Sequence, residues 1–264
     1  MRVVILAGGL GTRLSEETAL RPKPMVEVGG KPILWHLMRT YAAAGFREFV
    51  VALGYKQEVV KDYFRSLYTD RHDLSIDLGS GSMSIRHRSV ESFTDDWHVE
   101  LIDTGSSTQT GGRLRRLKDI IGDETFMCTY GDGLASIDIA RLMSFHKRCG
   151  REATLTGVRP PARFGGLEIE DDRVVTFAEK PQLSEGWING GFFVFEPSVF
   201  DRISGDDTYL EHEPLAGLAR EGELSVFRHE GFWQPMDTLR DKRFLEDLWT
   251  GGDAPWVPKP ALVS

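Results

Sequence analysis

Five consecutive apolar residues, Val3-Val4-Ile5-Leu6-Ala7, run directly into Gly8-Gly9-Leu10-Gly11. A strand with one wet face alternates apolar and polar side chains, whereas an unbroken, β-branched apolar run belongs to a strand covered on both faces, as in parallel sheets. The same texture returns at Phe49-Val50-Val51-Ala52-Leu53. Between the two, Lys31 to Ala44 carries Leu34, Leu37, Met38 and Tyr41 at helical spacing, with Pro32 suited to a first turn and Gly45 to a stop. A second amphipathic helix follows, with Val60, Tyr63, Phe64 and Leu67 on one face. Strand, helix, strand, helix predicts an α/β fold: a Rossmann-like, mixed but mostly parallel sheet flanked by helices.

The alternation breaks between Asp70 and Asp103, where short stretches such as Ser82-Met83-Ser84-Ile85-Arg86 predict small antiparallel insertions at an edge. It then resumes with a helix near Gly112 to Ile121, a strand at Thr125 to Tyr130, a helix at Ile137 to Arg148 and a strand at Ala153 to Val158. Gly166 to Ala178 reads as a hairpin turning at Asp171-Asp172, and Ile188 to Phe195 as another strand. Helices are expected around Tyr209 to Glu221 and Leu239 to Trp249, the latter capped by Thr238. The Pro- and Gly-containing tail 251–264 is expected on the surface. Without an internal repeat or clear linker, residues 1–264 are expected to form one domain.

Composition narrows the function. With 32 Lys and Arg against 40 Asp and Glu, the net charge is −8; no basic excess exists to neutralise a nucleic-acid backbone, so no nucleic-acid partner is expected. The apolar runs are far shorter than the ~18–20 residues a membrane span needs, and Val3 to Ala7 is too short for a secretion signal. No membrane partner is expected. Cys128 and Cys149 are too few for a disulfide framework and read as reduced thiols of a cytoplasmic protein. An acidic chain that binds an anion must hold it with local cations, backbone N–H groups or a metal ion.

The glycine loop is where such an anion would sit, because ligands of open α/β sheets bind beyond the carboxyl ends of the strands. It is not a dinucleotide fingerprint, since Leu14 stands where the third glycine belongs, and Gly30-Lys31-Pro32 is not a Walker A loop. A flexible turn accounts for a lone glycine cluster as well as an anion cradle does. The segment Arg21-Pro22-Lys23-Pro24-Met25 favours the cradle: prolines on both sides restrict the backbone around Lys23 and aim its ammonium. Together with Arg13, this gives two cations beside a cradle of backbone amides, a combination that suits a triphosphate.

The string Gly8-Gly9-Leu10-Gly11-Thr12-Arg13-Leu14 followed by Pro22-Lys23-Pro24-Met25 resembles the signature of the sugar-1-phosphate nucleotidyltransferases. Asp132 in Tyr130-Gly131-Asp132-Gly133 and Asp237 resemble that family's two metal-binding aspartates. Glu179-Lys180-Pro181 resembles its sugar-phosphate lysine motif, and Asn189-Gly190-Gly191 its sugar-binding segment. Leu14 to Thr18, Asp103-Thr104-Gly105, Thr110 to Leu114 and Phe232 to Thr238 are similar to the cytidylyl-transferring branch. Glu16 and the Thr110 to Arg113 loop depart from the thymidylyl and uridylyl branches.

The resemblance implies a GT-A-like form of the α/β fold and a Mg²⁺-assisted transfer of the cytidylyl group of CTP to α-D-glucose 1-phosphate, giving CDP-glucose and pyrophosphate. Another nucleotide or sugar phosphate is the near alternative, and a non-catalytic nucleotide-sugar sensor the distant one. It also implies a homo-oligomer and a place in deoxysugar or surface-polysaccharide synthesis. Nucleotide contacts are expected from Leu6, Ala7, Gly8, Gly9, Gly11, Thr12, Arg13, Lys23, Gly111, Arg113, Tyr130 and Gly131, mainly within residues 1–150. Sugar-phosphate contacts are expected from Gly165, Glu179, Lys180, Trp187 and Asn189, within residues 151–250. Arg13, Lys23 and Asp132 are the expected catalytic residues. Asp132 and Asp237 are the expected Mg²⁺ ligands, since that ion takes one or two carboxylates and completes its shell with phosphate oxygens and water.

Overall fold

The computed structural model describes residues 1–11, 14–70, 72–86, 96–160, 166–170, 173–178 and 186–258. The chain opens with β1 (Arg2–Leu6), a short helix α1 (Ser15–Thr18) and a small ladder, β2 (Glu27–Val28) with β3 (Lys31–Pro32). Next come α2 (Ile33–Ala43), β4 (Glu48–Leu53) and α3 (Gln57–Thr69). A hairpin, β5 (Asp73–Asp77) and β6 (Ser82–Arg86), precedes β7 (His98–Asp103). Then follow α4 (Thr110–Arg116), α5 (Lys118–Ile121), β8 (Phe126–Tyr130), β9 (Gly133–Ala135), α6 (Ile139–Cys149) and β10 (Ala153–Val158). The remaining elements are β11 (Gly166–Glu170), β12 (Arg173–Ala178), β13 (Ile188–Phe195), α7 (Glu213–Arg220), β14 (Leu224–His229), β15 (Trp233–Pro235) and α8 (Leu239–Thr250).

Seven strands form one sheet in the order β14-β10-β13-β8-β1-β4-β7. All run parallel except β13, which is antiparallel to both of its neighbours, β8 and β10. The unbroken apolar run of β1 is accounted for by its place in the middle of this sheet. Val3 and Ile5 enter the hydrophobic layer beneath α2, α6 and α8, while Val4 and Leu6 enter the opposite layer beneath α4, α5 and α7. Phe192 and Val194 against Phe193 and Phe195 divide β13 in the same way. The mixed, mostly parallel sheet flanked by helices is the architecture that the sequence pattern predicts.

Several boundaries move. Helix α2 starts at Ile33 because Lys31 and Pro32 pair with Val28 and Glu27. The helix expected over Gly112 to Ile121 breaks at Leu117, and the one expected from Tyr209 starts at Glu213. The β5–β6 hairpin forms its own two-stranded sheet. By contrast β7, which lies in the region expected to be inserted, is a full parallel member of the main sheet beside β4. Strand β14 was not visible in the sequence at all. Both β7 and β14 lie at the sheet's edges, where one flank meets solvent and side chains such as Val226 are exposed, so neither carries a continuous apolar run.

The turn expected at Asp171-Asp172 lies outside the described residues, although the two strands flanking it pair as a hairpin. The tail is not wholly on the surface. Trp256 is only 2 % exposed and its indole N–H donates to His36 Nδ1 at 3.2 Å, while His36 Nε2 lies 2.9 Å from the Val28 carbonyl. Both thiols are unpaired. Among the described residues, no helix is long and apolar enough to cross a membrane.

Candidate active site

Two local devices bring distant carboxylates together at the carboxyl edge of the sheet. Asp132 leaves β8 and enters β9, which pairs antiparallel with β15 through Gly133–Pro235, Leu134–Gln234 and Ala135–Trp233. The Met236 N–H then donates to the Asp132 carbonyl at 2.8 Å, so the next residue, Asp237, stands beside Asp132. Helix α8 fixes it there. Thr238 accepts from the Asp241 N–H, and the Asp241 carboxylate accepts from the Thr238 and Asp237 N–H groups at 2.9 and 3.1 Å, a reciprocal cap that holds the turn rigid.

Lys23 lies between the two carboxylates, its Nζ 2.7 Å from Asp132 Oδ2 and 2.5 Å from Asp237 Oδ1. Burial alone would push its pKa down, but attraction and hydrogen bonding to Asp132, then to Asp237, outweigh that and hold it above the ordinary lysine value. The pair of prolines performs as expected: Pro22 is extended, Lys23–Met25 form a 3₁₀ turn, and Lys23 is only 7 % exposed. The direction of its ammonium differs from expectation, pointing at the aspartates rather than toward a phosphate site. A positive group held by two carboxylates is the environment a hard divalent cation takes, and the donor set fits Mg²⁺. Among the described residues no third His, Cys, Asp or Glu gathers with them, so such a cation would complete its shell from phosphate oxygens and water.

Beside this cluster the glycine loop forms one wall of a cleft of about 410 Å³. Leu6, Ala7, Gly8, Gly9, Gly11, Lys23, Arg113, Tyr130, Gly131 and Asp132 all line it, so ten residues singled out in the sequence meet in one place. Pro24, Thr108, Gln109, Thr110 and Glu211 complete the lining; none of them was among the expected site residues. Gln109-Thr110 opens α4 directly before Gly111-Gly112, and that glycine pair is a usable sequence signal for the helix start. Glu211 has no motif around it.

Two close approaches explain why glycines stand where they do. A Cβ on Gly131 would come within 2.9 Å of the Leu6 carbonyl and 2.8 Å of Pro24, so only glycine lets β8 press against β1 at this level. A Cβ on Gly8 would fall 2.1 Å from Arg113 Nη1. That guanidinium is the buttress of the loop. It is 4 % exposed and donates to the carbonyls of Gly8, Leu53 and Gly105 and to the Thr104 hydroxyl at 2.8 to 2.9 Å, tying together the ends of β1, β4 and β7. Its hydrogen-bond acceptors are neutral, and burial pushes its pKa down. Arg113, expected at the nucleotide, reaches the cleft lining from behind the glycine loop and sets a buried positive charge under the amide cradle. Gly111, also expected at the nucleotide, instead donates its N–H to the Thr208 carbonyl at 2.9 Å.

The other wall is polar. Burial first, and then the Glu211 carboxylate, push the Tyr130 phenol far above its usual pKa, so it keeps its proton and donates to Glu211. Asn189 donates its side-chain amide to Tyr130 Oη at 3.3 Å and accepts from the Gly191 N–H at 2.9 Å. Trp187 is not part of the cleft lining. Its ring packs against Gly157, with the guanidinium carbons of Arg159 and Arg228 4.2 and 5.8 Å from its centre. This cation–aromatic packing is what the described residues give for the tryptophan expected to cover a sugar face. Thr12, Arg13, Gly165, Glu179 and Lys180 lie outside the described residues.

Comparison with known proteins agrees with this geometry. Residues 2–219 match the family model described as "Nucleotidyl transferase". The chain is 52% identical over 257 residues to the glucose-1-phosphate cytidylyltransferase of Salmonella typhi, covering 97% of this chain and 98% of that one. It is 44% identical to the probable glucose-1-phosphate cytidylyltransferase of Bacillus subtilis, over 97% and 99%. Among solved structures, a putative glucose-1-phosphate thymidylyltransferase from Bacillus anthracis superposes with a TM-score of 0.68 at 17% identity, covering 98% and 97%. At that identity the likeness concerns the fold alone. A glycine loop buttressed from behind and a lysine of the same cleft joined to two aspartates, in a chain that matches the family over most of its length, place this protein in the nucleotidyl transferase family.

Proposed function

We propose that the protein is a glucose-1-phosphate cytidylyltransferase that uses CTP, α-D-glucose 1-phosphate and Mg²⁺, acting as a homo-oligomer in the cytoplasm. The observation that carries this reading is the convergence of Lys23 and Asp132 with the glycine loop in one cleft, with Asp237 joined to them through the Lys23 ammonium. The choice of base and sugar rests on the similarity to cytidylyltransferases over nearly the whole chain.

In the reaction, a phosphate oxygen of the sugar 1-phosphate attacks the α-phosphorus of the triphosphate and the bond to the β-phosphate breaks, releasing pyrophosphate. The attacking phosphate has its second pKa near ~6 and is mostly dianionic at neutral pH, so no general base is needed. The barrier is the meeting of two anions, and the protein lowers it by positioning and charge. Backbone N–H groups of the Gly8 to Gly11 loop receive phosphate oxygens, with the Arg113 charge behind them. Asp132 and Asp237 would hold Mg²⁺, which would supply positive charge to the phosphate oxygens. Lys23, released from the aspartates, turns to the phosphates. In this reading Arg13 would add charge at the triphosphate and Lys180 at the sugar phosphate, and Glu179 and Asn189 would hydrogen-bond sugar hydroxyls. Residues 1–150 mainly bind nucleotide and 151–250 mainly sugar phosphate, within one catalytic unit.

The test is exchange of labelled pyrophosphate into nucleoside triphosphate, with CDP-, UDP-, dTDP- and GDP-glucose offered in turn. Fastest exchange with CDP-glucose is expected, together with losses of orders of magnitude in Asp132→Asn and Asp237→Asn. A faster rate with another nucleotide overturns the choice of base, and no exchange with any of them overturns the activity.

A further inference from the structure

One carboxylate in the cleft has no role in the chemistry above. Glu211 shares the lining with the phosphate-binding groups, yet among the described residues no cation pairs with it. It is exposed to the cleft and nevertheless fixed in direction. One oxygen accepts from the Tyr130 phenol and the other from the Thr110 hydroxyl at 2.7 Å. The backbone beneath it is clamped to the start of α4, with Gln109 N–H donating to Asp206 O at 2.8 Å, Gly111 N–H to Thr208 O at 2.9 Å and Leu210 N–H to Thr110 Oγ1 at 2.9 Å. Each carboxylate oxygen accepts two hydrogen bonds and has one here, so each keeps a lone pair for a donor in the cleft.

A fixed, uncompensated negative charge in a cleft built for polyanions repels phosphate, so it must face the uncharged part of a substrate. Its connections indicate which part. The Tyr130 hydroxyl that binds Glu211 is also bound by Asn189 of β13, and β13 lies on the side of β8 away from β1 and its glycine loop. Through Tyr130 the carboxylate is tied to the β13 side of the cleft, while Thr110 ties it to the start of α4, so it faces the space between the glycine loop and β13. We propose that Glu211 is a specificity-determining residue. Its carboxylate accepts a hydroxyl of the sugar 1-phosphate, and its charge excludes sugars that carry a second anion at that place, such as a uronic acid 1-phosphate. This rests on the reading of the protein as a sugar-1-phosphate nucleotidyltransferase and adds which sugars that site admits.

The test uses the full chain with saturating CTP and compares glucose 1-phosphate with glucuronic acid 1-phosphate in wild type, Glu211→Gln and Glu211→Asp. Glu211→Gln replaces the charged acceptor with a neutral amide whose NH2 meets a donor, so kcat/KM for glucose 1-phosphate is expected to fall about 10- to 100-fold, through the KM for the sugar. The KM for CTP is expected to stay within about 2-fold, and the preference for glucose over glucuronic acid 1-phosphate to fall about 10-fold or more. Glu211→Asp keeps the charge and is expected to keep the exclusion while using glucose 1-phosphate less well; this arm decides the matter if Glu211→Gln does not fold. An unchanged preference in Glu211→Gln, or lost exclusion in Glu211→Asp, overturns the proposal. So does a selective rise in the KM for CTP with acceptance of UTP, which would assign the carboxylate to the base. If wild type prefers another sugar 1-phosphate, the assigned substrate is wrong, and the same comparison is made between that sugar and its uronic counterpart.

Discussion

Replacing Lys23 by Met keeps the length and apolar stem of the side chain and removes only the ammonium. The two carboxylate oxygens it joins can be no farther apart than the sum of their contacts with Nζ, about 5.2 Å. At an effective dielectric constant of ~20, two unit negative charges at that separation repel by roughly 3 kcal/mol. The Asp132 side chain is 35% exposed and that of Asp237 16%, so solvent screens part of this. A loss of about 2 kcal/mol of stability is expected without added metal, a fall in Tm of roughly 4–8 °C for a chain of this size. The informative arm adds Mg²⁺ in the absence of nucleotide. In wild type the ammonium already neutralises the carboxylates and competes for their oxygens, so Tm is expected to move little. In Lys23→Met the divalent ion binds the folded state alone and is expected to restore most of the lost stability. Differential scanning fluorimetry with and without Mg²⁺ reads both effects. If the variant melts with wild type in the absence of metal, or if Mg²⁺ shifts the two proteins equally, Lys23 is not the charge that holds the aspartate pair together.

Two further outcomes follow from the packing. Trp256→Ala empties a buried site against His36 and Phe232 and is expected to cost about 3–5 kcal/mol in urea unfolding, whereas a free surface tail would cost nothing measurable. His36 and His229 both have pKa values pushed below 6.5, first of all by burial. Unfolding lets each bind a proton that the folded protein refuses, so stability is full above about pH 6.5 and declines as pH falls from there toward the folded-state values. Denaturation midpoints compared at pH 7.5 and 5.5 check this, with slopes of up to ~1.4 kcal/mol per pH unit for each histidine.

How the glycine loop, Asp132 and Glu211 came to share a cleft, with Asp237 beside it, divides into what was legible along the chain and what was not. Local rules reach as far as one element and its ends. The apolar run of β1 declared a strand covered on both faces, Thr238 declared the start of α8, and the prolines around Lys23 declared a fixed lysine, because burial, capping and backbone restriction act within a few residues. The matching family motifs pointed to Asp132 and Asp237 for the same reason: they travel with short segments. The partner of each group was set by strand order. The β9–β15 pairing placed Asp237 beside Asp132, and only then did the Lys23 ammonium have two carboxylates to join. Arg113 became a buttress because the ends of β1, β4 and β7 meet around it. Edge strands β7 and β14 hid in half-polar sequence, and Trp256 found its site only once α2 and α8 stood side by side. Glu211, with no motif at all, acquired its place from Tyr130, 81 positions earlier, and from Thr110 across the cleft. Contacts between residues so far apart are fixed by the packing of whole elements, and no local pattern encodes them.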